Sequence, residues 1–238
     1  MNLPEAVPVM IIPEATLFPQ ALLPLCVFEP RYQRMLADTL EGNRLFAVAM
    51  QRPDCLRETP CRIAGVGMIR VSVEHANGTS HLILQGLDRI ELGPALQLKP
   101  YRIHSIRRLQ TSATDSVRVD ALLAKVQELV ETRLELAPIA LPPCQGKTYS
   151  KHLGPEPFKK TNPGAQSASA GSPAREILGY LRSLPEPGQV ADLIACALLP
   201  RPDARQTILE TLDLEDRLRH LIHFLMAEIK RLRKDSAP

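Results

Sequence analysis

Leu17-Phe-Pro-Gln-Ala-Leu-Leu-Pro-Leu-Cys-Val-Phe-Glu-Pro-Arg-Tyr32 sets an extended, proline-punctuated apolar segment directly against a helix start. Pro19, Pro24 and Pro30 each fix φ and push the residue before them toward extended geometry. Pro30 suits the first turn of a helix, where its missing N–H would have had no partner. Tyr32, Met35, Leu36 and Leu40 follow at helical spacing, and Gly42 is placed to end that helix. A segment this apolar has to line a core or a groove.

The same stretch carries a resemblance. Leu17, Phe18, Pro19, Leu23, Pro24, Leu25, Val27, Phe28, Glu29, Pro30, Arg31 and Tyr32 match a Leu-Phe-Pro…Leu-Pro-Leu…(Ile/Val)-Phe-Glu-Pro-Arg-Tyr signature. That signature opens the N-terminal, substrate-binding domain of Lon proteases. Arg44–Ala49, Gly65–Ile69, Leu82–Ile90, Ala191–Ile194 and Leu209–Leu221 resemble later motifs of the same family, in the same order. The chain resembles this domain in a form without the ATPase and protease parts. The resemblance implies an α+β fold in which a PUA-like β pseudo-barrel lobe precedes an α-helical lobe.

Outward from the signature, residues 7–112 read as mostly β with one helix. Strands are expected at Val7–Ile12, Arg44–Gln51, Ala64–His75, Thr79–Gln85, Leu87–Leu92 and Arg102–Leu109. Asn77-Gly78 predicts a two-residue type I′ hairpin turn. Closure into a barrel would remove exposed strand edges. Gly65, Gly67 and Gly86 are expected to mark bulges or close backbone approach. Beyond Thr114 the period becomes helical. Val119, Leu122, Leu123, Val126, Leu129, Val130 and Leu134 predict a long amphipathic helix. Further helices are expected at Ala174–Ser183, Gln189–Leu198, Asp203–Thr211 and Leu214–Arg233, with Asp213 capping the last. Residues 138–172 are rich in Pro, Gly and Ser and read as a linker or flexible loop. The expected division is therefore 1–112 and 113–238.

Composition narrows the function. The chain has 238 residues, 29 basic against 26 acidic side chains, no Trp and 4% aromatics. A near-neutral charge with few stacking rings argues against nucleic acid. Five scattered cysteines, no secretory leader pattern and no long apolar run point to a cytoplasmic protein with reduced thiols and no membrane span.

Chemistry-bearing motifs are weak. Leu141–Thr148 imitates the end of a phosphate-binding loop, but Leu141 stands where the first glycine belongs. Ser169-Ala-Gly171 faintly resembles a Lon catalytic-serine neighbourhood, in a stretch with no scaffold to hold it. His220 and His223 share a helix face, and Cys55 and Cys61 flank a loop, yet neither pair has the further ligands a metal needs. No enzyme, metal or cofactor is expected.

The expected function is a non-catalytic module that binds unfolded or extended polypeptide, with Leu17, Phe18, Leu23, Phe28 and Tyr32 as candidate contacts. A protease acting in trans is a candidate partner, and an adaptor or quality-control role is the implied context. RNA binding is the alternative, because PUA-like barrels often bind RNA. Pro19, Pro24, Glu29, Pro30, Arg31 and Arg89 read as structural. Glu29 and Arg31 could anchor a bound peptide backbone. The preferred reading is that Glu29 caps the helix or pairs with an internal arginine such as Arg89, since a charge beside a core needs a partner.

Overall fold

The structure, a computed structural model, describes residues 3–55, 57–112, 117–137 and 173–235. Six strands come first: β1 Ala6–Ile12, β2 Leu22–Val27, β3 Leu45–Met50, β4 Ile63–Glu74, β5 Ser80–Gln97 and β6 Arg102–Arg108. Helix α1, Pro30–Glu41, lies between β2 and β3. Among the described residues five helices follow: α2 Val117–Leu136, α3 Pro173–Ser183, α4 Pro187–Leu198, α5 Pro202–Glu210 and α6 Leu214–Asp235. The fold is α+β, a β pseudo-barrel followed by helices.

The strand order is β2-β5-β4-β3-β1-β6, and β5 also pairs with β6. Five strands thereby close a ring, which leaves β2 outside it as an edge strand on the first half of β5. The length of β5 makes this possible. Residues 80–85 of β5 pair with β2, and residues 90–97 pair with β6. Register shifts at Val66/Gly67 and Ile69/Val71 in β4, and around Gly93 in β5, supply the curvature. β1 and β3 run parallel, with β2 and α1 in the crossover between them.

Two separate strands were expected on either side of Gly86, and the structure joins them into one. Gly86 marks a crossing point rather than a break. Its N–H donates to the Ala21 carbonyl and its carbonyl accepts from Gln20 N–H, both at 2.9 Å. A Cβ built on Gly86 would sit 1.9 Å from the Phe18 carbonyl oxygen, and one on Gly65 would sit 2.0 Å from that of Leu17. The Leu17–Ala21 segment therefore runs directly over β4 and β5 where side chains are absent.

The hairpin turn also differs from the expectation. Gly78 N–H donates to the His75 carbonyl, and Gly78 alone in this turn has positive φ, at 78°. This is a three-residue loop with glycine in the left-handed position, whereas type I′ would require positive φ at Asn77 as well. The Asn77 side chain instead accepts from Thr79 N–H at 3.0 Å. On α1 the buried face holds Tyr32, Met35, Leu36 and Thr39. Leu40, expected inside, is 37% exposed. Thr39 takes the inner place because its hydroxyl donates to the Met35 carbonyl at 2.6 Å.

The barrel holds two apolar clusters, one around Met35, Phe46, Ile69 and Leu84, the other around Val7, Ala64, Val66 and Ile90. A third joins the helices around Val126, Val130, Ile194, Ile208, Leu218, Leu221 and Leu225, and includes Phe18 and Ala21 from the barrel side. Asp213 caps α6, its carboxylate accepting from Asp216 N–H at 3.0 Å. That bond, the largest of several causes, holds the Asp213 carboxyl below the usual range.

A buried charge cluster joins the two parts. Arg89 on β5 donates to Asp192 on α4 from both terminal nitrogens, and from Nε to the Leu209 carbonyl at 3.0 Å. Arg217 on α6 approaches the same carboxylate at 3.4 Å and donates to the Thr211 and Leu212 carbonyls. Arg89, Asp192 and Arg217 are all buried. Burial, with Arg89 nearby, lowers the Arg217 guanidinium to about 10. One expected arrangement paired Glu29 with an internal arginine such as Arg89. The structure corrects this, because Arg89 points to the helices, where a carboxylate from α4 meets it.

Candidate functional site

A gap in the barrel wall makes the site. β1 pairs with β6 only from Ala6 to Val9. Beyond Val9, its edge faces the end of β2 and the start of α1. A groove of about 420 Å³ opens there, lined by residues of β1 (Met10, Ile11, Ile12), of β2 (Leu25, Cys26, Val27) and by Phe28. A second cavity of about 250 Å³ lies beyond, against Val9, Leu98, Lys99 and Arg102. Arg31, Tyr32 and Glu58 line both.

The prolines explain why these side chains meet. Pro30 occupies the first turn of α1, so the chain turns from strand to helix at Phe28-Glu29 without losing a hydrogen bond. Glu29 is the cap residue with extended backbone, and its side chain makes no capping hydrogen bond. It pairs instead with Arg31, whose Nε donates to it at 2.8 Å.

Tyr32 plugs the open strand edge. Its hydroxyl accepts from Ile11 N–H at 3.1 Å and donates to the Ile11 carbonyl at 3.2 Å. Burial pushes the phenol up to about 12. Arg31 donates to both oxygens of Glu58 at 2.6 and 2.7 Å. That pairing, above all, holds the guanidinium more firmly charged than usual. The arrangement is an apolar cleft with a charged wall, suited to burying apolar side chains.

The sequence candidates divide. Phe28, 39% exposed, stands on the groove wall. Tyr32 is buried and forms the groove floor. Leu23 is half-buried against the barrel core, outside the groove lining. Leu17 and Phe18 are 1% and 0% exposed. Their side chains fill cores, so as peptide contacts they are corrected. Glu58 was missed, because it lies in an irregular connection with no motif around it.

His220 and His223 are exposed on α6, and His220 Nδ1 shares a hydrogen bond with the Thr211 hydroxyl. Among the described residues, no group of three or more His, Cys, Asp or Glu could hold a metal ion. The Leu141–Thr148 and Ser169–Gly171 motifs and the 138–172 linker lie outside the described residues. No helix among the described residues is long and apolar enough to cross a membrane.

A family model described as the ATP-dependent protease La (LON) substrate-binding domain matches residues 6–227. The chain belongs to this Lon substrate-binding family. It is 26% identical over 232 residues to a Lon protease of Dictyoglomus thermophilum, covering 96% of this chain and 25% of that protein. It is 28% identical over 238 residues to Lon protease 2 of Sorangium cellulosum, again over 96% and 25%. The chain thus spans about a quarter of the length of these curated relatives. The N-terminal domain of a Mycobacterium avium complex Lon protease superposes with a TM-score of 0.67 at 16% identity, over 93% of this chain and 98% of that one. A Lon N-terminal domain protein from Xanthomonas campestris gives 0.57 at 18% identity, over 92% and 98%. In this Lon-type domain the signature Leu17–Tyr32 therefore does two jobs. Its first half welds barrel to helices, and its second half shapes the groove.

Proposed function

We propose that the chain is a non-catalytic module that binds unfolded or extended polypeptide in the groove between β1, β2 and α1. The observation that carries this is the break in strand pairing beyond Val9, which leaves an apolar cleft walled by Met10, Leu25 and Phe28. Clefts of this size and lining take one or two apolar side chains. The family supports a substrate-recognition role. In the cell the module would act in the cytoplasm as an adaptor, handing captured chains to a protease in trans.

Among the described residues, many of the exposed arginines are already neutralised, which weighs against RNA. Arg34, Arg62, Arg107, Arg108, Arg201, Arg219 and Arg231 each pair with a carboxylate.

Fluorescence anisotropy with a labelled, permanently unfolded polypeptide tests the proposal. Binding in the micromolar range that weakens in Phe28→Ser supports it. Absence of binding by a folded protein at tens of micromolar overturns it, and salt-sensitive binding to structured RNA instead would favour the alternative.

A further inference from the structure

The two cavities meet at one ion pair. Arg31 presents Nη1 and Nη2 to the two oxygens of Glu58, and its guanidinium carbon lies 4.4 Å from the Tyr32 ring centroid. A planar guanidinium backed by an aromatic face and met fork to fork is how proteins recognise carboxylates. Here the carboxylate comes from the chain itself. Glu58 belongs to the irregular connection between β3 and β4. Its backbone is held separately, because Arg102 Nη2 donates to the Glu58 carbonyl at 2.6 Å. The side chain can therefore swing off Arg31 without releasing the loop.

Charge points the same way. Glu58 is the sole acid among the described residues lining the smaller cavity, which also presents Arg31, Lys99 and Arg102. Once the Glu58 carboxylate turns away, Arg31 keeps its Nε bond to Glu29 but frees both terminal nitrogens toward that space, beside Lys99 and Arg102. The larger cavity beside it stays apolar along Met10, Leu25 and Phe28.

We infer that Glu58 occupies the place of a ligand carboxylate. The groove takes polypeptide in which a carboxylate adjoins an apolar side chain, either an acidic residue or the chain's C-terminus. The ligand carboxylate displaces Glu58 from Arg31, and the apolar side chain enters against Phe28. This inference rests on the polypeptide-binding reading and names the substrate class for that groove. Because the resident carboxylate must leave first, it lowers the apparent affinity by the fraction of time Arg31 is occupied.

Anisotropy with three labelled probes tests it: amidated Ser-Leu-Phe-Asp-Leu-Ser, the same peptide with Asn for Asp, and Ser-Leu-Phe with a free C-terminal carboxylate. The wild type should prefer the Asp over the Asn peptide by about fivefold. Glu58→Gln should tighten carboxylate probes by about tenfold while moving the Asn peptide by less than about twofold. Arg31→Gln should erase the preference. A gain seen only with the free C-terminus assigns the carboxylate to chain ends, and one seen only with Asp assigns it to side chains. Equal binding of the Asp and Asn peptides, together with no tightening of the free C-terminal probe in Glu58→Gln, overturns the inference and leaves polypeptide binding standing. No binding of any probe by variants that melt like the wild type overturns both.

Discussion

Leu17 and Phe18 are neighbours in sequence but belong to different cores. Leu17 packs in the barrel with Met35 and Leu84, and Phe18 packs among the helices with Ile194 and Leu218. Their carbonyls lie over Gly65 and Gly86. One dipeptide thus sets the position of the helices against the barrel, and the groove beyond Pro24 inherits that frame.

The crossing depends on missing side chains. Gly65→Ala and Gly86→Ala should each cost about 3 kcal/mol or more, because a Cβ would strike main-chain carbonyls that cannot step aside. Gly179→Ala on α3 is the control. Nothing lies within 4 Å of a Cβ there, so the change should add up to about 1 kcal/mol of stability. Thermal and urea unfolding of the three variants checks this.

Asp192→Ala should cost about 3–5 kcal/mol, since it leaves Arg89 and Arg217 buried without their carboxylate. Arg219→Ala, which removes an exposed pair with Glu215 on α6, should cost under about 1 kcal/mol. Urea denaturation read by circular dichroism separates the two.

Tyr32 makes stability fall at high pH. Its folded-state phenol titrates at about 12, against 10.0 for an unperturbed tyrosine. The unfolded chain therefore loses this proton first, and the stabilisation present below pH 10 is lost as pH rises toward 12. In a spectrophotometric titration of the four tyrosines, a phase near pH 12 should vanish in Tyr32→Phe. The variant should also lose about 1–3 kcal/mol at neutral pH, because the hydroxyl no longer satisfies Ile11.

Pro24 guards the edge of β2. Its ring nitrogen has no donor to offer a second strand. Leu22, Val71, Val73 and Ile83 are exposed hydrophobics on the β2, β5 and β4 strands beside it. Pro24→Thr should therefore promote association as concentration rises, seen by light scattering, while leaving the monomer folded.

Much of this was legible in the sequence. Pro30 announced the start of α1, Asp213 the start of α6, and the heptad-like spacing from Val119 to Leu134 announced α2, because each signal is local. What the sequence hid was the destination of side chains. The same apolarity that marked Leu17 and Phe18 as binding candidates also suits a core, and only the crossing over Gly65 and Gly86 decides between them. Arg89 and Asp192 are 103 residues apart, so no spacing rule could pair them. Glu58 sits in an irregular loop, where hydrophobic period carries no information.

The most direct test of the central claim is an amide chemical-shift titration of the labelled protein with an unfolded polypeptide. The groove predicts shifts concentrated at Met10–Ile12, Cys26–Glu29 and Gln51. Shifts centred on Val71 and Ile83 across the outer sheet face, or none at all, would contradict it.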